Sequence, residues 1–148
     1  MSQQLSKSFW LHEFTRSQTA ARMGRAIVPT QAEIDALTEL CVNVLQPLRD
    51  NIGVSITISS GLRPVWLNRA VRGSLSSQHI QGEAADIVAQ GFTPRRLCER
   101  ILDIVLPFDQ LILEFDQWTH VSYSVRMRRA VMTARVVDGR TTYLPGLE

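Results

Sequence analysis

An aspartate sits inside a short apolar run, EAADIV at residues 83–88, seven positions after the histidine of SSQHIQGEAADI. The run is bounded upstream by a glycine and a polar loop, so it reads as a strand. A carboxylate carried into the interior by such a strand is costly unless something cationic meets it. Any fold for this chain must therefore bring a positive group, or a cation, to Asp86.

The rest of the chain supplies the frame. FWLHEF, near the start, is an apolar anchor within a mixed segment closed by Pro29. Thr30 followed by Glu33 is a capping-box pattern. The helix it opens, about 31 to 49, puts Ile34, Leu37, Leu40, Cys41, Val44, Leu45 and Leu48 on one face. Pro47 predicts a distorted or early end, because proline removes a backbone donor and crowds the preceding turn. VSITISSG at 54–61 is β-branched, alternating and stopped by glycine, a strand pattern. A polar loop with a short helical piece follows, then the aspartate-bearing strand. Thr93 caps a helix to about 106, with Pro94 at its first position. FDQLILEF and WTHVSYSV form two strands around a tight connection, and the last segment is a hairpin turning at Asp138-Gly139. This order predicts one α+β domain over residues 1–148, with helices packed on a mainly antiparallel sheet.

Composition narrows the partners. The net charge of +2 calls for no polyanion, so no nucleic-acid partner is expected. No apolar run approaches the roughly 20 residues that cross a bilayer, so no membrane insertion is expected. The opening MSQQLSKSFWLHEFTRS has neither an apolar signal core nor a small-residue cleavage site. Cytoplasmic residence until release by another factor is the corresponding expectation, with a monomer as the expected state. Cys41 and Cys98 fall at apolar helix positions and are expected to be reduced core residues.

Three histidines are present. His120 lies in an alternating strand, where Thr119, Val121 and Tyr123 share one face and His120, Ser122 and Ser124 the other. That second face is polar. With His79 and Asp86, His120 would give zinc three protein ligands and leave a fourth position for water, the form of a catalytic site. On the pattern alone, a histidine on a strand is more often a hydrogen-bonded surface or core residue than a ligand.

SSQHIQGEAADI resembles the S-x-H-x-x-G-x-A-x-D pattern of the zinc D-Ala-D-Ala metallopeptidase family, which includes phage L-alanyl-D-glutamate endopeptidases and shares its fold with the hedgehog signalling domain. SGLRPVWLNRAVRGS is similar to that family's serine-glycine-aromatic-arginine segment, with Leu62 in place of the aromatic residue. FDQLILEFDQWTHVSY is similar to its closing strand pair, and FWLHEFTRSQTAARMG to the lead-in of its phage and prophage branch. The resemblance covers about residues 8–125 and implies a hedgehog-like α+β fold. It implies His79, Asp86 and His120 as ligands of Zn2+, Arg63 as the cation near the scissile carbonyl, and Ser77 as a substrate contact. Gly82 would let the chain turn between the ligands, although an ordinary turn glycine fits it equally, and Ala84 would leave room for the metal.

The general base is where the pattern departs. Several family members carry an acid three positions before the last histidine, where this chain has Gln117. Glu114 and Asp116 are the nearby acids. If DQW forms a three-residue turn, Glu114 pairs across the hairpin with His120 and their side chains share a face. Glu114 is therefore the expected base, with Asp116 as runner-up and turn-forming aspartate. The resemblance implies a peptidase acting on the peptidoglycan stem peptide, as a phage or prophage lytic enzyme. A non-catalytic, zinc-stabilised binding or virion-assembly module of the same fold is the alternative. The arginines between Arg126 and Arg140 read as a solvated face.

Overall fold

The computed structural model describes residues 2–148. Its centre is a six-stranded sheet in the order β3-β4-β6-β5-β7-β8. The strands are β3 (Ile56–Ser60), β4 (Ala84–Ala89), β5 (Gln110–Glu114), β6 (Trp118–Ser122), β7 (Ala130–Val137) and β8 (Arg140–Pro145). Neighbours are antiparallel, apart from the parallel pair β5–β7. A separate two-stranded ribbon, β1 (Gln4–Ser6) with β2 (Phe9–Trp10), precedes them. This is the expected α+β class. The parallel pairing arises because residues 123–129 carry the chain from the end of β6 back to the start of β5, where β7 begins.

The two faces of the sheet have different chemistry. Ala85, Ile87, Leu111, Leu113, Thr119 and Val121 point one way and are buried. Helix α5 (Pro94–Asp103) packs on β4, β5 and β6. Thr93 caps α5 by accepting from the Arg96 amide at 3.2 Å, and Leu97, Cys98 and Ile101 join the core. The opposite face carries Asp86, His120 and Glu114, and the site lies there.

Helix α2 (Gln31–Leu40) begins at the expected capping box. The Thr30 hydroxyl accepts from the Glu33 amide at 3.2 Å, and the Thr30 amide donates to the Glu33 carboxylate at 2.8 Å. The distortion expected from Pro47 is a single wide turn, Cys41–Leu45, in which the Gln46 amide donates to the Cys41 carbonyl five residues back. Widening the turn relieves the crowding of a proline ring against the previous turn. The helix therefore continues as α3 (Gln46–Ile52) rather than ending, and closes on Gly53 at φ 69°. Leu37, Leu40, Val44, Leu45 and Leu48 share one core with the sheet. Cys41 and Cys98 are free and buried, as expected.

FWLHEF does anchor the N-terminal segment: Phe9 and Phe14 are buried, with ring centroids 6.4 Å apart. After it come a short helix, α1 (Gln18–Arg22), and later α4 (Val65–Ala70), the helical piece expected after Pro64.

Candidate metal centre

Three elements deliver the ligand candidates. His79 lies in a short 3-10 turn, Gln78–Gln81, where its own amide is capped by the Ser77 side chain. Asp86 lies in β4 and His120 in β6, where the two are direct cross-strand partners. Gly82 ends the turn at φ 75°, and a Cβ there would stand 2.8 Å from the Glu33 carbonyl oxygen. Only glycine meets both conditions without strain. The ordinary-turn reading is therefore incomplete, because Gly82 also lets the histidine loop lie against α2.

The donors converge on one carboxylate oxygen. Asp86 Oδ1 is 3.2 Å from His79 Nε2 and 3.1 Å from His120 Nδ1. Ligands of a tetrahedral zinc, with bonds of roughly 2.0–2.1 Å, stand about 3.3 Å apart along each edge. Both edges that meet at Asp86 therefore match the spacing of ligands on one ion. All three residues are buried, and their donor atoms lie within 4.8 Å of one another.

The Gly61 carbonyl accepts at 2.8 Å from His79 Nδ1. A carbonyl can only accept, so the proton sits on Nδ1 and the lone pair of Nε2 faces Asp86. This is the usual way a protein orients a metal-binding imidazole. Gly61 is in turn pressed onto the N-terminal segment, since a Cβ on it would stand 2.6 Å from both Cα and O of Phe14. The Leu62 amide donates to that same Phe14 oxygen at 2.8 Å. The apolar anchor of the sequence thus buttresses a histidine ligand.

The electrostatics agree with a cation site. Burial acts to raise the Asp86 carboxyl. The two imidazoles beside it, His79 first and then His120, overcome this and hold it well below the usual carboxylate range. Glu114 is the opposite case: burial first, then the Asp86 charge, push it up to about 7, against the pull of His120 and Arg63. Its Oε1 is 3.4 Å from His120 Nδ1.

The geometry of that contact corrects the expected register. The turn is Phe115-Asp116-Gln117, with Phe115 and Asp116 at φ 56° and 53°. Glu114 therefore pairs with Trp118, and His120 with Ile112. The shift is by two residues, so the face is preserved and Glu114 reaches His120 along the diagonal. Asp116 is exposed on the turn.

Arg63 and Ser77 are brought to the same place. Arg63 Nη2 donates to Ser77 Oγ at 3.3 Å, and the Arg63 amide donates to the His79 carbonyl at 2.9 Å. Ser77 Oγ also accepts from the His79 amide at 3.2 Å.

One residue that the sequence reading did not single out supports the site. Asp109, fully buried, accepts from Gln78 Nε2, the Ser124 hydroxyl, and the Arg128 amide and guanidinium. It fastens the residue before His79 to the 124–129 loop. Arg128 and Arg129 are accordingly not merely a solvated face. The second donates to the Leu106 carbonyl at 2.7 Å and lies over the Phe108 ring. An aspartate opening an apolar strand, FDQLIL, was the available signal.

Three protein donors with a carboxyl group beside them make a hydrolytic type of metal site, since a structural zinc is ordinarily closed by a fourth protein ligand. A family model described as Peptidase M15 matches residues 7–122, and the chain belongs to this family of zinc D-Ala-D-Ala peptidases. No curated protein matches the chain. The expected family and fold class are therefore those observed. Among the described residues, no helix is long and apolar enough to cross a membrane.

Proposed function

We propose that the chain is a zinc-dependent peptidoglycan peptidase that hydrolyses a peptide bond of the stem peptide or its cross-link, as a phage or prophage lytic enzyme. The observation that carries this reading is the convergence of His79, Asp86 and His120 with Glu114 beside them. A zinc ion held by these ligands supplies a Lewis acid and lowers the pKa of water from 15.7 to roughly 7. Glu114 takes the proton from the attacking water and passes it to the leaving amine as the C–N bond breaks. Its partial burial and proximity to His120 suit it to hold that proton briefly. Arg63, fixed through Ser77 and the backbone of His79, places positive charge where the carbonyl oxygen becomes an oxyanion. Ser77 orients Arg63 and the histidine turn, and its hydroxyl contacts the substrate beside that guanidinium.

The alternative, a non-catalytic metal-stabilised module, rests on Gln117. The position of Glu114 favours the enzyme, because it supplies an acid on the correct face. The test is incubation of zinc-loaded protein with purified peptidoglycan of diaminopimelate and lysine types, reading the masses of released muropeptides. Fragments that vanish with chelator and return with zinc are expected. Intact walls of both types, at full metal occupancy, would leave the binding module as the better reading.

A further inference from the structure

Strands β7 and β8 lie beyond the residues matched by the family, yet they extend the site's own sheet on the Glu114 side. Their register defines one continuous row, Trp118–Glu114–Ala134–Tyr143, across four strands. Residues paired directly across strands project to the same face. Tyr143 therefore stands on the face that carries Asp86, His120 and Glu114. Between Glu114 and Tyr143 the row holds only the methyl group of Ala134, which is fully buried beneath its neighbours. A larger side chain there would separate the tyrosine from the carboxylate.

Tyr143 is also held firmly. The Gly146 amide donates to the Val131 carbonyl at 2.8 Å, and the Thr133 hydroxyl donates to the Gly146 carbonyl at 2.8 Å. The end of β8 is thereby tied down two strands from the site. The residue is nonetheless 52% exposed, on a strand whose other large apolar residue, Leu144, turns toward the opposite face.

We infer that Tyr143 is a substrate-contacting residue of this site, its ring forming one wall of the cleft and its hydroxyl donating a hydrogen bond to a main-chain carbonyl of a bound peptide. The inference rests on the peptidase reading and adds to it a binding surface supplied by the C-terminal hairpin. A half-exposed aromatic ring at a rigid position is suited to holding an extended peptide at little cost in side-chain entropy. The phenol is a donor at neutral pH in any case, and burial first, then the charge of Glu114, raises it further, against Arg63.

The test uses zinc-loaded full-length protein and two readouts. One is steady-state cleavage of peptidoglycan; the other is calorimetric binding of a phosphinate pseudodipeptide, which mimics the tetrahedral state without turnover. Tyr143→Phe keeps the ring and should raise KM by about 3–10-fold, with kcat nearly unchanged, as loss of one neutral hydrogen bond predicts. Phosphinate affinity should fall by a similar factor. Tyr143→Ala should lose more in both, while zinc content and melting temperature stay near wild type. Values within twofold of wild type for both variants, in both assays, would overturn the inference. Protein that holds the phosphinate through Tyr143 but cleaves no wall supports the contact and sinks the peptidoglycan reading. Wild-type protein that does neither overturns both.

Discussion

Replacing Asp109 with asparagine separates the charge of this carboxylate from its shape. In the folded protein, Oδ1 accepts from the Arg128 amide at 2.8 Å and from Nε at 2.9 Å. Oδ2 accepts from Gln78 Nε2 at 2.9 Å, Ser124 Oγ at 3.0 Å and Arg128 Nη2 at 2.8 Å. An amide can keep its oxygen on the Oδ1 side, but its NH2 group then faces three donors. The Ser124 hydroxyl can rotate away. Gln78 can flip its amide and offer Oε1, which is buried without a partner, at the expense of the Nε2 bond to Glu83 at 3.2 Å. Arg128 Nη2 can only turn toward solvent, which its partly exposed side chain allows at the cost of the bond. One charge-assisted bond is lost outright, worth about 1.5–3 kcal/mol, and the remaining bonds to Arg128 weaken with the charge. A loss of roughly 3 kcal/mol follows, near the lower end for breaking a buried ion pair and consistent with the partial exposure of Arg128. For a chain of this length that lowers the melting temperature by about 6–12 °C.

The same substitution gives a pH signature. Hydrogen bonds from Arg128, then from Ser124 and Gln78, outweigh burial and hold the Asp109 carboxyl well below its ordinary range. A carboxyl with a depressed folded pKa stabilises fully above its unfolded value, about 3.9, and loses that contribution as pH falls below it. Asparagine carries no such contribution. Urea melts of both proteins should show a gap at pH 7 that narrows as pH falls through the carboxylate range. A difference below about 1 kcal/mol at neutral pH, or a gap independent of acid, would refute the assignment of Asp109 as an ionised clamp.

Glu114→Gln should cut peptidoglycan cleavage by about 10²–10⁴-fold with zinc retained, whereas Asp116→Asn, on the exposed turn, should be much milder; the reverse ranking would reassign the base. Gly61→Ala places a Cβ against Phe14 backbone atoms and should displace the carbonyl that orients His79, weakening zinc affinity by about 10–100-fold in a chelator competition. Unchanged affinity would show that the carbonyl plays no part in orienting the ligand. Cys41 and Cys98, whose thiols burial pushes well above the ordinary thiol value, that of Cys98 to about 11, should react with thiol reagents only after denaturation. Rapid labelling of either in the native state would contradict the packing of its helix.

The site was legible in the sequence wherever chemistry and periodicity coincided. Asp86 in an apolar strand demanded a cation, and the strand's alternation placed His120 on a polar face; the structure then made the two direct partners. Gly82 was visible as a turn, but its contact with α2 was not, because tertiary approach leaves no local signature. The helix through Pro47 illustrates the same limit. Proline signalled a distortion, while the continued apolar face through Leu48 decided that the chain would absorb it in one wide turn. Asp109 was missed because its partners, Gln78, Ser124 and Arg128, come from three separated segments, so no spacing in the sequence connects them.

The register of the β5–β6 hairpin shows why parity survives where pairing does not. The expected turn began at Asp116 and the observed one begins at Phe115. A three-residue connection moved by one position changes every cross-strand partner by two, from Glu114–His120 to Glu114–Trp118. The side-chain period of a strand is also two, so each residue keeps its face. Glu114 therefore still reaches His120, now along a diagonal, and the new partner places Trp118 beside it. A shift that changed the partners by one would have turned either Glu114 or His120 into the core, where Leu113 and Val121 lie. The hydrophobic pattern of β5 and β6 forbids that outcome, since it would expose either Leu111 and Leu113 or Val121. The burial that fixes the sheet thus also fixes which acid can serve the metal ligands, although it leaves the turn free to choose between two pairings.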